Sequence, residues 1–75
     1  MKEKILIIGR PGTGKTDLGK LLSDLMDYDL VDEVPSALWL SLNDEPRKVY
    51  VSNSITGAEA STYLKNFTVI IVSNL

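Results

Sequence analysis

The 75-residue sequence contains no cysteine and no histidine. Disulfides and thiolate metal sites are excluded, and so is an imidazole acting as base, proton shuttle or metal ligand. The chemistry left to the chain comes from carboxylates, lysine, hydroxyls, amides and the main chain. An excess of positive charge is missing too: eight Lys and Arg stand against ten Asp and Glu, a formal net charge of -2, spread along the chain. Without a Lys/Arg stripe there is little counterion release to drive binding to DNA or RNA, so direct nucleic-acid binding is not expected. Long apolar runs are also absent. Lys2 and Lys4 precede "ILII" in the manner of a signal peptide, but that run stops after four residues at a glycine turn. No stretch approaches the about 20 residues a membrane helix requires. The chain is expected to be cytoplasmic.

Apolar residues make up 44% and charged residues 24% of the chain, an ordinary globular balance that argues for a folded protein. Residues 1–75 read as one domain. A domain this short buries only about 60% of the surface its unfolded chain exposes, so its stability is small, and self-association or a bound ligand would add to it.

Ile5 to Ile8 is a continuous apolar run rich in β-branched residues, the pattern of a strand buried on both faces. From Thr16 onward Leu18, Leu21, Leu22, Leu25 and Met26 recur at helical spacing and predict an amphipathic helix. A second strand is expected from about Tyr28 to Val34, stopped by Pro35. "SALWLSLN", residues 36–43, fits a short helix or a strand; Pro35, suited to a first helical position, favours the helix. Residues 47–55, "RKVYVSNSI", alternate as a strand. Thr56 with Glu59 three residues on is a capping box, predicting a helix through about Asn66 that turns Ala60, Tyr63, Leu64 and Phe67 to the sheet. "FTVIIVSNL", residues 67–75, is the last strand. The alternation predicts an α/β fold in three layers, about four mostly parallel strands with two or three helices, and leaves room for a mixed sheet because residues 36–46 are ambiguous.

Between the first strand and the first helix, Gly9, Gly14, Lys15 and Thr16 satisfy G-x-x-x-x-G-K-[ST], with Gly12 inside the loop. Chance produces such a match in a chain of this size roughly a few times in a thousand. Its glycines let main-chain N–H groups turn inward around an anion, and the following helix points its positive end at the same place. Lys15 is the candidate for the outer phosphates, and the Thr16 hydroxyl for a Mg²⁺ bridging phosphate oxygens, while Arg10, Pro11 and Thr13 lend backbone. The competing reading is a tight strand-to-helix turn followed by a solvated lysine.

At "GRPGTGKT" the chain resembles the P-loop NTPases, over eight residues of loop or about thirty with its strand and helix. The resemblance implies a parallel sheet flanked by helices, with binding of ATP or another NTP with Mg²⁺, and hydrolysis or phosphoryl transfer. Hydrolysis also needs a second carboxylate for the metal and a group that orients water. Asp32, as a metal ligand, and Glu33, as a catalytic carboxylate, look like a Walker B pair, although Asp29 interrupts the apolar run before them; a solvated acidic loop is the alternative. "VIIVSN" resembles the sensor strand of AAA-type ATPases and superfamily 3 helicases, which would place Asn74 beside the γ-phosphate. Asn53, at the end of "VYVSN", is the rival for that place, and either asparagine can simply close a turn.

Arg47 is a candidate finger toward a neighbouring subunit or a solvated charge, and Trp39 and Tyr63 are candidate base-stacking residues, or core or interface residues. The N-K-x-D motif that reads guanine is not present. P-loop NTPase domains are usually at least twice this long. The expectation is therefore an ATP-binding chain with weak or partner-dependent hydrolysis, acting as a homo-oligomer or with a larger protein. A non-catalytic nucleotide-binding module, a small nucleotide or metabolite kinase, and a fragment or remnant are the alternatives. A phage or mobile-element protein is the kind of source such a small chain suggests.

Overall fold

In the computed structural model, which describes residues 4–73, apolar strands and amphipathic helices alternate. The elements are β1 (Lys4–Gly9), α1 (Lys15–Met26), β2 (Asp29–Val31), α2 (Ala37–Asn43), β3 (Lys48–Ser52), α3 (Gly57–Tyr63) and β4 (Thr68–Val72). The strands form one sheet in the order β2-β3-β1-β4, and every pairing is parallel. No antiparallel strand joins among the described residues, so the sheet is more regular than the mostly parallel one expected.

The period-2 alternation of strand side chains divides the core. Ile5 and Ile7 of β1 join Val49 and Val51 of β3 on one face, where Leu18, Leu22 and Met26 of α1 cover them. Leu6, Ile8 and Tyr50 point to the other face, against Ala37 and Leu40 of α2, Ala60 of α3, and Leu64 and Phe67 beyond it. β1 and most of β3 are thus covered on both sides, which is why they read as near-continuous apolar runs. Helix α1 comes very close to the sheet at Gly19, where an added Cβ would sit 2.8 Å from a Val51 methyl and 3.0 Å from one of Leu30.

Several element ends differ from expectation, each for a local reason. The second strand begins at Asp29 rather than Tyr28, because the Tyr28 N–H closes α1 onto the Ser23 carbonyl, with Asp27 left-handed at φ 56°. It stops at Val31 rather than Val34, since Glu33 is left-handed at φ 57° and the Val34 N–H then bonds the Val51 carbonyl. Helix α2 is capped by Ser36, whose hydroxyl accepts from the Trp39 N–H, so Pro35 precedes the cap instead of filling the first helical position. The Thr56–Glu59 capping box forms, but α3 ends at Tyr63 and not near Asn66, because Leu64 and Phe67 turn into the core. The third and fourth strands are likewise shorter than 47–55 and 67–75.

The apolar stripe on α1 is narrower than its leucines suggest: Leu21 and Leu25 are 55% and 73% exposed. Trp39 and Tyr63 are exposed as well, so neither is a core residue. At the start of β1, Lys4 pairs with Asp44 and lies over the Phe67 ring at 5.9 Å. The Lys4 hydrogen bond holds the Asp44 carboxyl below its ordinary range. Among the described residues no helix is long and apolar enough to cross a membrane.

Candidate functional site

The chain leaving β1 enters α1 on one face of the sheet, and the chain leaving its neighbour β3 enters α3 on the other. In a parallel sheet, the crevice between two such strand ends is the place where ligands are bound. Here it holds an open cleft of about 260 Å³ lined by Gly12, Gly14, Lys15, Thr16, Asp17 and Asn53.

The loop is shaped at Gly9. Its φ is +152°, and a Cβ there would lie 2.3 Å from the Val72 carbonyl oxygen of β4 and 3.4 Å from the Lys15 Cδ. Only glycine lets β4 approach this closely while the Lys15 stem passes over the same backbone. Gly12 and Gly14 continue the turn at φ +80° and +83°, and Thr13 closes it by donating its hydroxyl to the Arg10 carbonyl at 2.8 Å. Gly14 is the N-cap of α1 and supplies no side-chain cap. The first N–H groups of the helix, which have no intrahelical acceptor, therefore open toward the cleft with the positive end of the helix dipole.

Lys15 is 4% exposed, an unusual burial for an ammonium. Its Nζ donates to the Arg10 carbonyl and, at 3.3 Å, to the Thr13 hydroxyl. Both partners are neutral. The ion pairs among the described residues are Lys4–Asp44 and Lys48–Asp29, and neither involves Lys15. A buried cation held only by neutral oxygens still lacks an anionic partner, and an unpaired buried charge is costly.

The Thr16 hydroxyl donates to the Asp32 carboxylate at 3.0 Å, so the two candidate metal ligands meet although they lie on different elements. The second Asp32 oxygen accepts from the Glu33 N–H at 2.7 Å, which holds this turn in its left-handed form. Glu33 is exposed, and its carboxylate is not among the groups lining the cleft. Replacing Glu33 with glycine removes a left-handed strain of about 1–2 kcal/mol, against about 0.5–1 kcal/mol of added backbone entropy in the unfolded chain. Urea denaturation of Glu33→Gly is expected to show stability unchanged or raised by up to about 1 kcal/mol, whereas Glu33→Val should lose stability.

Asn74 lies outside the described residues, while its rival Asn53 lines the cleft with Lys15 and Thr16. Asn53 is positioned by Ser52, a fully buried residue that carries no signal of its own in the sequence. The Ser52 hydroxyl donates to the Val34 carbonyl at 2.7 Å and accepts from the N–H groups of Ser54 and Ile55. Arg10 and Pro11 line a second cleft, with Asn53, Thr56, Gly57 and Ile71, and Asn53 is common to both. Arg47 sits away from the cleft, at φ 62° with its guanidinium 5.9 Å from the Tyr28 ring. Compared with protein-family models, curated proteins and solved structures, the chain matches none.

Proposed function

We propose that the loop from Gly9 to Thr16 is a P-loop that binds the phosphates of ATP, or another NTP, with Mg²⁺, and that hydrolysis is weak or depends on a partner. The observation that carries this reading is Lys15: a buried ammonium without an anion, set beside a helix start without a cap. A polyphosphate supplies what both lack, since its oxygens accept from main-chain N–H groups and from the ammonium at once.

The donor set suits Mg²⁺ as well. No group of three or more acidic residues forms a metal cage among the described residues. Mg²⁺ binds instead through one or two protein oxygens plus phosphates and water, and the Thr16 hydroxyl and Asp32 carboxylate are such a pair. When bound, the ion offsets charge that develops on the phosphate oxygens. Within the chain, Lys15 would exchange the Arg10 carbonyl for a phosphate oxygen, Asp32 and the Thr16 hydroxyl would hold the ion, and Asn53 would orient a water from the β3 side.

Glu33, turned out of the cleft, favours slow turnover and is the basis of the second reading, a module that holds nucleotide without cleaving it. Phosphate release from ATP by the purified chain separates the two. Release above a Lys15→Ala control, at a rate well below one per second, is expected. Equal rates would leave the binding module alone, and no calorimetric heat with any triphosphate would remove both.

A further inference from the structure

A third cavity touches the loop from Gly9 to Thr16, on its other flank. It measures about 460 Å³ and is lined by Gly9, Arg10, Thr13, Ile71, Val72 and Ser73. The loop forms one wall and the end of β4 the other. No strand lies beyond β4 among the described residues to close it.

The strand order gives a bound polyphosphate a direction. Asp32 follows β2 and Asn53 follows β3, whereas β4 stands on the opposite side of β1. The Thr16 and Asp32 pair, proposed above to hold the ion between the outer phosphates, marks the β2 side of the loop. The outer phosphates therefore belong on that side, and the inner phosphate, with whatever it carries, leaves toward β4 and the cavity. Size agrees with this direction. Small-molecule pockets measure about 300–1,000 Å³. The cavity at β4 falls within that range, while the two clefts that Asn53 lines are about 260 Å³ each. The groove at Leu38, Glu59 and Tyr63, about 300 Å³, touches no residue of the loop.

We propose that this cavity holds the nucleoside of a bound NTP and accepts the four common bases without strong preference. The inference rests on the reading of the loop as a phosphate site and names the ligand class of that same site, nucleoside triphosphates irrespective of base. The tolerance follows from the lining. Ile71 and Val72 offer apolar surface, which any base ring covers equally well. The Thr13 hydroxyl is already engaged, donating to the Arg10 carbonyl at 2.8 Å and accepting from the Lys15 Nζ at 3.3 Å. Arg10 brings a planar cation, and such a group stacks on any base because every base has a π-face. The Ser73 hydroxyl both donates and accepts, so it suits either kind of base edge. Among the described residues no Asp, Glu, Asn or Gln lines the cavity, so no carboxylate or side-chain amide reads a base edge there. A site built to pair with one donor or acceptor rejects a ligand lacking it by about 10⁴-fold, whereas an apolar site separates similar ligands by only about 10–200-fold.

Isothermal titration calorimetry of the chain in Mg²⁺ with ATP, GTP, CTP, UTP and inorganic tripolyphosphate tests the inference. The four nucleotides should bind within about thirtyfold of one another. Tripolyphosphate should bind about tenfold or more weakly than ATP, since it leaves the apolar wall uncovered. Ile71→Ala, at a position 64% exposed and so tolerant of truncation, should weaken the nucleotides by about threefold or more and leave tripolyphosphate unchanged. In ¹H–¹⁵N spectra ATP should move the amide signals of Ile71 and Ser73, and tripolyphosphate should not. Tripolyphosphate binding as tightly as ATP, or ATP leaving those two signals in place, would overturn the nucleoside pocket. A preference for one base by more than about a hundredfold would overturn the tolerance. In each of these cases the phosphate reading of the loop stands, whereas failure of every ligand to bind, tripolyphosphate included, would remove that reading and this inference together.

Discussion

Mg²⁺-ATP at about a hundredfold excess over its dissociation constant is expected to stabilise the chain by about 2.7 kcal/mol, the linkage value for a ligand bound only by the folded state. In a domain of this size each kcal/mol moves the melting temperature by about 4–8 °C, so the midpoint should rise by about 10 °C or more. In Lys15→Ala the shift, measured against that variant's own baseline, should shrink to about 2 °C or less. The variant removes a buried cation that lacks an anion among the described residues, while the uncapped start of α1 remains. Differential scanning fluorimetry over a nucleotide titration, with and without Mg²⁺, reads this directly. Equal shifts in wild type and Lys15→Ala would show that the ammonium does not contact the ligand and would remove the central argument for the site.

Gly9→Ala is expected to be the most damaging single-methyl change in the loop. The new Cβ would meet a main-chain oxygen of β4 at 2.3 Å, at a φ of +152° that L residues rarely adopt. A backbone atom cannot rotate away as a side chain does, so β4 must shift along its pairing with β1. Overpacking and backbone strain together should cost about 3 kcal/mol or more, a large share of the about 5 kcal/mol that holds a small domain folded. Gly12→Ala is the control: its φ is +80°, but no atom lies within 4 Å of the added carbon. It should lose only about 1 kcal/mol, from strain alone. Urea denaturation of the two variants should separate them clearly, and equal losses would show that the β4 contact contributes nothing.

The elements governed by short-range patterns were readable from the chain. β1 is a run of apolar residues because α1 covers it on one side and α2 with α3 on the other, and that burial leaves its mark on every residue from Ile5 to Ile8. The Thr56–Glu59 capping box is likewise a local device whose spacing carries its geometry. What depends on neighbours distant in sequence was not readable. The leucine spacing of α1 runs past the stripe that is covered, because the helix lies over β3, β1 and β2 and leaves the β4 side open. That Asn53 reaches the cleft needed the strand order, which sets β3 beside β1, and the buried Ser52 hydroxyl that holds the end of β3; its rival Asn74 lies outside the described residues. The meeting of Thr16 with Asp32 needed the turn at Glu33, an acidic residue in a conformation that its type does not announce.

Because every strand pairing is parallel, the central strand has no early partner. Residue 4 waits for residue 48, and residue 5 for residue 68, before either flank of β1 is closed. Loop-closure entropy must be spent on each flank before its ladder bonds reward it, a topology that folds slowly. During synthesis the first strand and its glycine turn leave the ribosome long before they have anything to pair with. The nascent chain therefore holds this apolar segment without a strand beside it until β3 has been made, and with one flank still open until β4 follows.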